Sequence, residues 1–346
     1  MTQKKFENIN CLVIGSGSIG SRHAYNLKKL GIKNISIFDK NNSVSKKISE
    51  SLKINHHPTF DSALSSNPDL CLVCTYPSTH IEIAKQCLKK NAHIFIEKPI
   101  SSNIVNVNSL LTKAKQKKLK IGIGYNLRFD PGLLNIRKKI QLNSLGKIHT
   151  ISVQWGNHIK NWQPGTDFHE HYILKEGGGI ILDDSHEYDY LRWILDDEVD
   201  SVYCQTNKTS SFKTKSESSA SIILRFKKGT ITNLLLDYVR PNYERNCHII
   251  GEKGSIKWEN HSLTHSSWNK FNSRSFSKVV TTNLKNKTKT DLFKFKTNQL
   301  YIQELNHFLN SLISNEKFQD GFDALKTLKI GLAALESAKK NKVIHL

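Results

Sequence analysis

Residues 9 to 40 constrain the fold more than any other stretch. Ile9 to Ile14 is a short, mostly apolar run, and Gly15-Ser16-Gly17-Ser18-Ile19-Gly20 follows at once. A helical pattern then runs from Ser21 to Leu30 with Ala24, Leu27 and Leu30 on one side, Gly31 ends it, and Ile35 to Asp39 reads as a second strand. Each glycine has a separate task in a dinucleotide-binding turn. Gly15 permits the tight turn, Gly17 lets the backbone approach a pyrophosphate, and Gly20 lets the helix pack close to the strand. The helix entered through Ser18 and Ile19 supplies N–H donors and positive potential to the phosphates. Asp39, 19 residues past Gly20, is placed to accept hydrogen bonds from a ribose 2′-hydroxyl and to repel a 2′-phosphate, which favours NAD over NADP. Lys40 follows at once and softens that preference.

The alternation continues. Asp69 to Thr75 is an apolar strand run, followed by Tyr76 to His80 and a helix from Ile81 to Lys90. His93 to Ile96 is the next strand and runs into Glu97-Lys98-Pro99; another helix and a strand from Lys120 to Gly124 follow. Such an order implies a doubly wound parallel sheet with ligands at the carboxyl ends of its strands. Thr75, Pro77, His80, Glu97 and Lys98 occupy such ends and are expected to line the cofactor site; Tyr125 to Arg128 also lie at such an end.

From Lys147 onward the pattern changes. Runs at Ile148–Trp155, Ser201–Gln205, Ala220–Phe226, Thr230–Val239, Asn246–Gly251 and Ser255–Trp258 read as strands, several joined by short turns such as Lys228-Gly229. That predicts a second, α+β domain with a largely antiparallel open sheet. Leu300 to Leu312 and Phe322 to Lys339 read as helices, and the polar stretch from Lys270 to Lys296 as an exposed loop or edge strand. The expected division is 1–124 for the nucleotide-binding domain and 125–346 for the substrate-binding and oligomerisation domain.

The formal net charge of +21 raises the question of a nucleic-acid partner. The basic residues are mostly lysines spread along the chain, and no recognition motif accompanies them, so no nucleic-acid role is expected. A positive field would instead steer anionic substrates. Six cysteines are scattered; Cys71 and Cys74 match a C-x-x-C spacing, but no second pair completes a zinc site, and no metal is expected. No apolar run approaches membrane-spanning length, which points to a cytoplasmic protein with no membrane partner.

On these motifs the chain resembles the Gfo/Idh/MocA oxidoreductases, named after glucose–fructose oxidoreductase and inositol dehydrogenase. The matching features are GSGSIG, the segment LCLVCTYPSTHIEIA, Glu97-Lys98-Pro99, and Gly177-Gly178-Gly179 leading to His186; the closing segment from Asp320 has the same character. The resemblance implies NAD-dependent hydride transfer at a hydroxyl or keto carbon of a sugar. Lys98 would polarise the reacting oxygen and His186 would serve as acid and base, supported by Asp183. Here Asp183 and His186 stand three apart with Asp184 intervening, where the family's usual spacing is four; either acid could fill the role.

The stretch ILDDSHEYDYLRW is similar to a subgroup associated with bacterial surface sugars, including nonulosonic acids, so nucleotide sugars and sugar phosphates enter as substrates. Asn126, Arg128, Trp162, Asp167, His169 and Tyr172 are the further candidates for holding the sugar, Arg128 as a bidentate partner of a phosphate or carboxylate. The resemblance also implies a homodimer or homotetramer. The competing reading is a redox-silent, NAD-binding sensor with the same fold.

Overall fold

The computed structural model describes residues 5–162, 179–209, 216–262, 273–314 and 316–346. The chain divides into two compact units, 1–125 with 301–326, and 126–300 with 327–346. A single cut after residue 124 therefore does not describe them, because residues 301–326 return to the first unit.

The first unit is built on six parallel strands, β1 (Asn10–Ile14), β2 (Asn34–Phe38), β3 (Asn55–His56), β4 (Leu70–Val73), β5 (His93–Glu97) and β6 (Ile121–Gly124). Their order is β3-β2-β1-β4-β5-β6. Helices α1 (Ser18–Lys29), α2 (Asn42–Leu52), α3 (Phe60–Ser65), α4 (His80–Lys89) and α5 (Val107–Gln116) connect them. The order reverses between β1 and β4, and the carboxyl ends of those two strands flank the crevice where such sheets take ligands.

Buried on both faces, the strands read as continuous apolar runs rather than alternating ones: all four residues of β4 and of β6 are buried. The helix Thr297–Ile313 adds Leu305, Phe308 and Leu309 to this core. Glycine at position 122 admits it, since a Cβ there would sit 2.6 Å from the Phe308 ring.

The second unit begins with α6 (Pro131–Gln141), whose first turn is held by Asp130 accepting the N–H groups of Gly132 and Leu133 at 2.8 and 3.1 Å. Strand β7 (Ile148–Gly156) leads to α7 (Ile159–Trp162), and after an interval come α8 (Gly179–Asp183) and α9 (His186–Leu195). Then follow β8 (Val199–Asn207), β9 (Ser219–Phe226), β10 (Ile231–Asp237), β11 (Glu244–Gly251), β12 (Gly254–Ser262), β13 (Arg274–Asn283) and β14 (Thr288–Lys296), with a short β15 (Ile344–His345) at the end.

These nine strands form one sheet, β14-β13-β12-β11-β7-β10-β9-β8-β15, in which only the β7–β10 pair is parallel. Burial alternates along β9 and β10, as expected of a sheet with one covered face. The helix Gly321–Lys340 contributes Ile330, Ala333 and Ala334 to the core. The lysine-rich stretch that sequence reads as a loop or edge strand contains the β13–β14 hairpin, and β14 is the sheet edge. Exposed Lys289, Lys294 and Lys296 discourage pairing with another strand there. Among the described residues no helix is long and apolar enough to cross a membrane.

Candidate active site

In the first unit the glycine loop is shaped by close approaches. Gly15 has φ +96°, and a Cβ on it would lie 2.5 Å from the Cys74 carbonyl oxygen. A Cβ on Gly20 would lie 1.9 Å from the Gly15 carbonyl oxygen, whereas the same position on Gly17 meets nothing within 4 Å. The loop is thus packed against the sheet at both ends and open in the middle. The Ser18 hydroxyl, at the first residue of α1, is buried and has no hydrogen-bond partner among the described residues. No acidic residue sits in that first turn. An open loop, a helix amino terminus and an orphan hydroxyl together fit a pyrophosphate.

Asp39, just beyond β2, faces the same loop. Its Oδ2 accepts the Ser16 N–H at 2.6 Å and the Ser16 hydroxyl at 2.9 Å, and its Oδ1 accepts the Asn41 N–H at 2.9 Å. A carboxylate offers about four acceptor positions, so it retains capacity for a ribose hydroxyl. Lys40 is exposed. These residues fit an NAD.

The expected strand-end residues divide by role. Thr75 and Thr79 share a hydroxyl–hydroxyl bond of 2.8 Å around the short turn Pro77–Thr79. His80 does not face outward: it is fully buried, with Nδ1 3.0 Å from the Pro99 carbonyl and Nε2 3.0 Å from the Thr75 carbonyl. It is a strut between two strand-end loops. Burial lowers its pKa, and the two backbone carbonyls offset that only in part. Glu97 accepts the Lys98 N–H on Oε2 at 3.3 Å, while its Oε1 lies 2.6 Å from Nε2 of His23. Lys98 is half-buried.

In the second unit every residue from Gly179 to Arg192 is buried except His186, which is partly exposed. His186 opens α9, and its neighbours are tied down. Asp183 accepts the Tyr238 hydroxyl at 2.9 Å. Arg245, on β11, donates through Nη2 to Asp184 and through Nε to Glu187, both at 2.9 Å. Its guanidinium also lies 5.6 Å from the centre of the Trp155 ring. Burial alone would lower the pKa of Arg245, but Glu187, Tyr243 and Asp184 outweigh it and hold the guanidinium charged. Glu217 accepts the Ile181 N–H at 3.2 Å, and burial raises its pKa.

The two acids that sequence leaves open therefore have different partners, a phenol for Asp183 and a guanidinium for Asp184. His186, Asp189 and Tyr190 stand at i, i+3 and i+4 on α9, and of these only His186 is not buried. Tyr190 packs edge-on against Trp258.

Arg128 is engaged within this unit. Its Nε and Nη2 donate to the two oxygens of Asp189 at 2.8 and 2.7 Å, so the fork expected to meet a substrate anion grips α9 instead. Asn126 is buried at the start of the turn Asn126–Phe129. Trp162 ends α7, and Asp167, His169 and Tyr172 lie outside the described residues. Sequence reasoning missed His23, Tyr238 and Arg245; two of these left a readable sign, a polar group at a core-facing position.

A doubly wound unit with this glycine loop belongs to the dinucleotide-binding class. Residues 9–125 match the oxidoreductase family with an NAD-binding Rossmann fold, Gfo/Idh/MocA, and residues 133–257 match the C-terminal domain of the same family. The chain belongs to the Gfo/Idh/MocA family and is an NAD-binding oxidoreductase. It is 26% identical to the myo-inositol 2-dehydrogenase of Thermotoga maritima, over 96% of this chain and 97% of that protein. It is 22% identical to the scyllo-inositol 2-dehydrogenase (NAD(+)) of Bacillus subtilis, over 98% and 96%. The WlbA dehydrogenase of Bordetella pertussis, solved with NADH and UDP-GlcNAcA, shares the fold with a TM-score of 0.79 at 19% identity, covering 98% of each chain.

Proposed function

We propose that the chain reversibly oxidises a secondary hydroxyl of a cyclic polyol or sugar, with Lys98 and His186 as its catalytic residues. Bound NAD supplies the acceptor for the hydrogen on carbon; the protein must supply charge and a proton acceptor. The Lys98 ammonium donates to the reacting oxygen and stabilises its developing negative charge. The His186 imidazole takes the hydroxyl proton and returns it in the reverse direction. The observation that carries this reading is His186 itself: the one partly exposed side chain in the buried segment from Gly179 to Arg192, flanked by carboxylates engaged by Arg245 and Tyr238.

The inositol dehydrogenases among its relatives support a polyol or sugar, and the UDP-GlcNAcA complex of a structural neighbour brings nucleotide sugars into the test. We further propose that a second copy of the chain covers the open face of the large sheet, where Ile223, Ile231, Leu235 and Ile250 stand exposed. Light scattering would read the resulting dimer or tetramer, and a monomer at micromolar concentration would refute it.

The functional test is NADH fluorescence on purified protein, titrated with NAD and NADP and then challenged with myo-inositol, scyllo-inositol and UDP-N-acetylglucosamine. Reduction with one of them is expected. Lys98→Ala and His186→Asn should each lower turnover by roughly 10²-fold or more while NAD still binds. Tight NAD binding with no reduction across the panel would favour the sensor reading.

A further inference from the structure

His23 lies on α1 three residues after Gly20, in the inward stripe with Ala24 and Leu27, and is fully buried. Its ring is walled by Phe95 and Tyr301, at centroid distances of 5.4 and 6.1 Å. A buried imidazole in such a place needs a polar partner. It has one: Nε2 is 2.6 Å from Oε1 of Glu97, while Nδ1 has no hydrogen-bond partner among the described residues.

Glu97 in turn has one seat. A Cβ on Gly124, the last residue of β6, would lie 2.9 Å from Glu97 Oε1, so glycine there leaves the space that the carboxylate occupies. The other oxygen accepts the peptide N–H of Lys98. Fixing Glu97 therefore fixes the peptide from which the Lys98 side chain departs, and it keeps a negative charge beside that residue.

We propose that His23 is a positioning residue: through Glu97 it sets the start of the Lys98 side chain and holds a carboxylate at the peptide N–H of that residue. This rests on the reading in which Lys98 polarises the reacting oxygen. The other charged or titratable groups that face the pair are Arg22 on α1, Cys74 after β4, His80 on α4, and Tyr301 and Glu304 on the helix Thr297–Ile313. Arg22 stands 4.7 Å over the Tyr301 ring.

The test needs no substrate. Competitive acetylation of the intact protein with acetic anhydride across pH, read peptide by peptide, gives the pH midpoint at which Lys98 becomes reactive. Glu97→Gln should move that midpoint to lower pH, because the neighbouring negative charge is gone. His23→Leu should move it the same way, because a carboxylate without its imidazole donor leaves its seat above Gly124. His23→Gln, which can place an N–H near the position of Nε2, should restore the midpoint.

NADH affinity should stay within threefold in His23→Leu and His23→Gln. With an active substrate, His23→Leu should lower kcat by roughly tenfold or more with little change in KM, as for the loss of one hydrogen bond to a charged group. A Lys98 midpoint unchanged in both Glu97→Gln and His23→Leu overturns the proposal. Should His23→Leu fail to fold, Glu97→Gln alone decides, and an unchanged midpoint there overturns it. If the midpoints shift while Lys98→Ala keeps full turnover, the positioning stands and the catalytic reading of Lys98 fails.

Discussion

Arg245→Leu is the perturbation that best tests how the second unit is held together. The guanidinium spans Asp184 and Glu187, the residues two before and one after His186, and both bonds are 2.9 Å long. The side chains of Asp184 and Glu187 are 3% and 0% exposed and that of Arg245 is 11%, so solvent screens the cluster little. Removing one partner of a buried ion pair typically costs about 3–5 kcal/mol, because the charge left behind stays buried and unpaired. Here two carboxylates lose one cation, and a cation–π contact worth about 0.5–2 kcal/mol goes with it. The expected loss is about 5 kcal/mol in urea unfolding followed by tryptophan fluorescence.

Arg245→Lys keeps a charge but loses the planar fork, and should fall between the two. The discriminating arm is the triple variant Arg245→Leu, Asp184→Asn, Glu187→Gln. Removing the orphaned charges should recover about half of the loss or more, since a neutral buried cluster costs less than an uncompensated one. An Arg245→Leu protein within about 1 kcal/mol of wild type would show that the pairing contributes no more than a surface bridge. A triple variant no more stable than the single one would show that packing, not charge, explains the loss.

Gly15→Ala forces a Cβ to 2.5 Å from the Cys74 carbonyl at a positive φ, and strain of this kind costs about 1–3 kcal/mol. NADH titration should show affinity reduced by tenfold or more, and wild-type affinity would refute the close-packed loop. His80 has a pKa lowered from 6.5 mainly by burial. Its contribution to stability is therefore fully present above the unfolded value of 6.5 and is lost as pH falls through the lowered folded value. His80→Gln should flatten the fall in urea midpoint on acidification from neutral pH toward about pH 5, and an unchanged slope would assign that acid sensitivity elsewhere.

The parts of this molecule written in local periodicity are legible in its sequence. The glycine turn opens α1 where the spacing predicts a strand-to-helix change, and the strand from Lys120 to Gly124 falls on β6. Lys98 and His186 sit at strand and helix ends for the same local reasons. What resists reading is pairing across long separations. The return of residues 301–326 to the first unit depends on Phe308 filling the space above Gly122, and no pattern within either segment reveals it. Arg128 looks like a ligand-binding fork because nothing near it in sequence shows that the Asp189 carboxylate will engage its Nε and Nη2.

Two of the missed residues nonetheless left a sign. Arg245 has the same parity on β11 as buried Cys247 and Ile249, so a charge sits at a core-facing position. His23 likewise interrupts the apolar stripe of α1 between Gly20 and Leu27. A charge or imidazole on the inward face of an otherwise apolar element cannot remain unpaired without large cost. Each therefore requires a polar partner on a facing element. The partner of Arg245 is the acid cluster around His186, and the partner of His23 is the glutamate beside Lys98. The residues that break the core pattern thus lead, by this energetic requirement alone, to the two side chains proposed to do the chemistry.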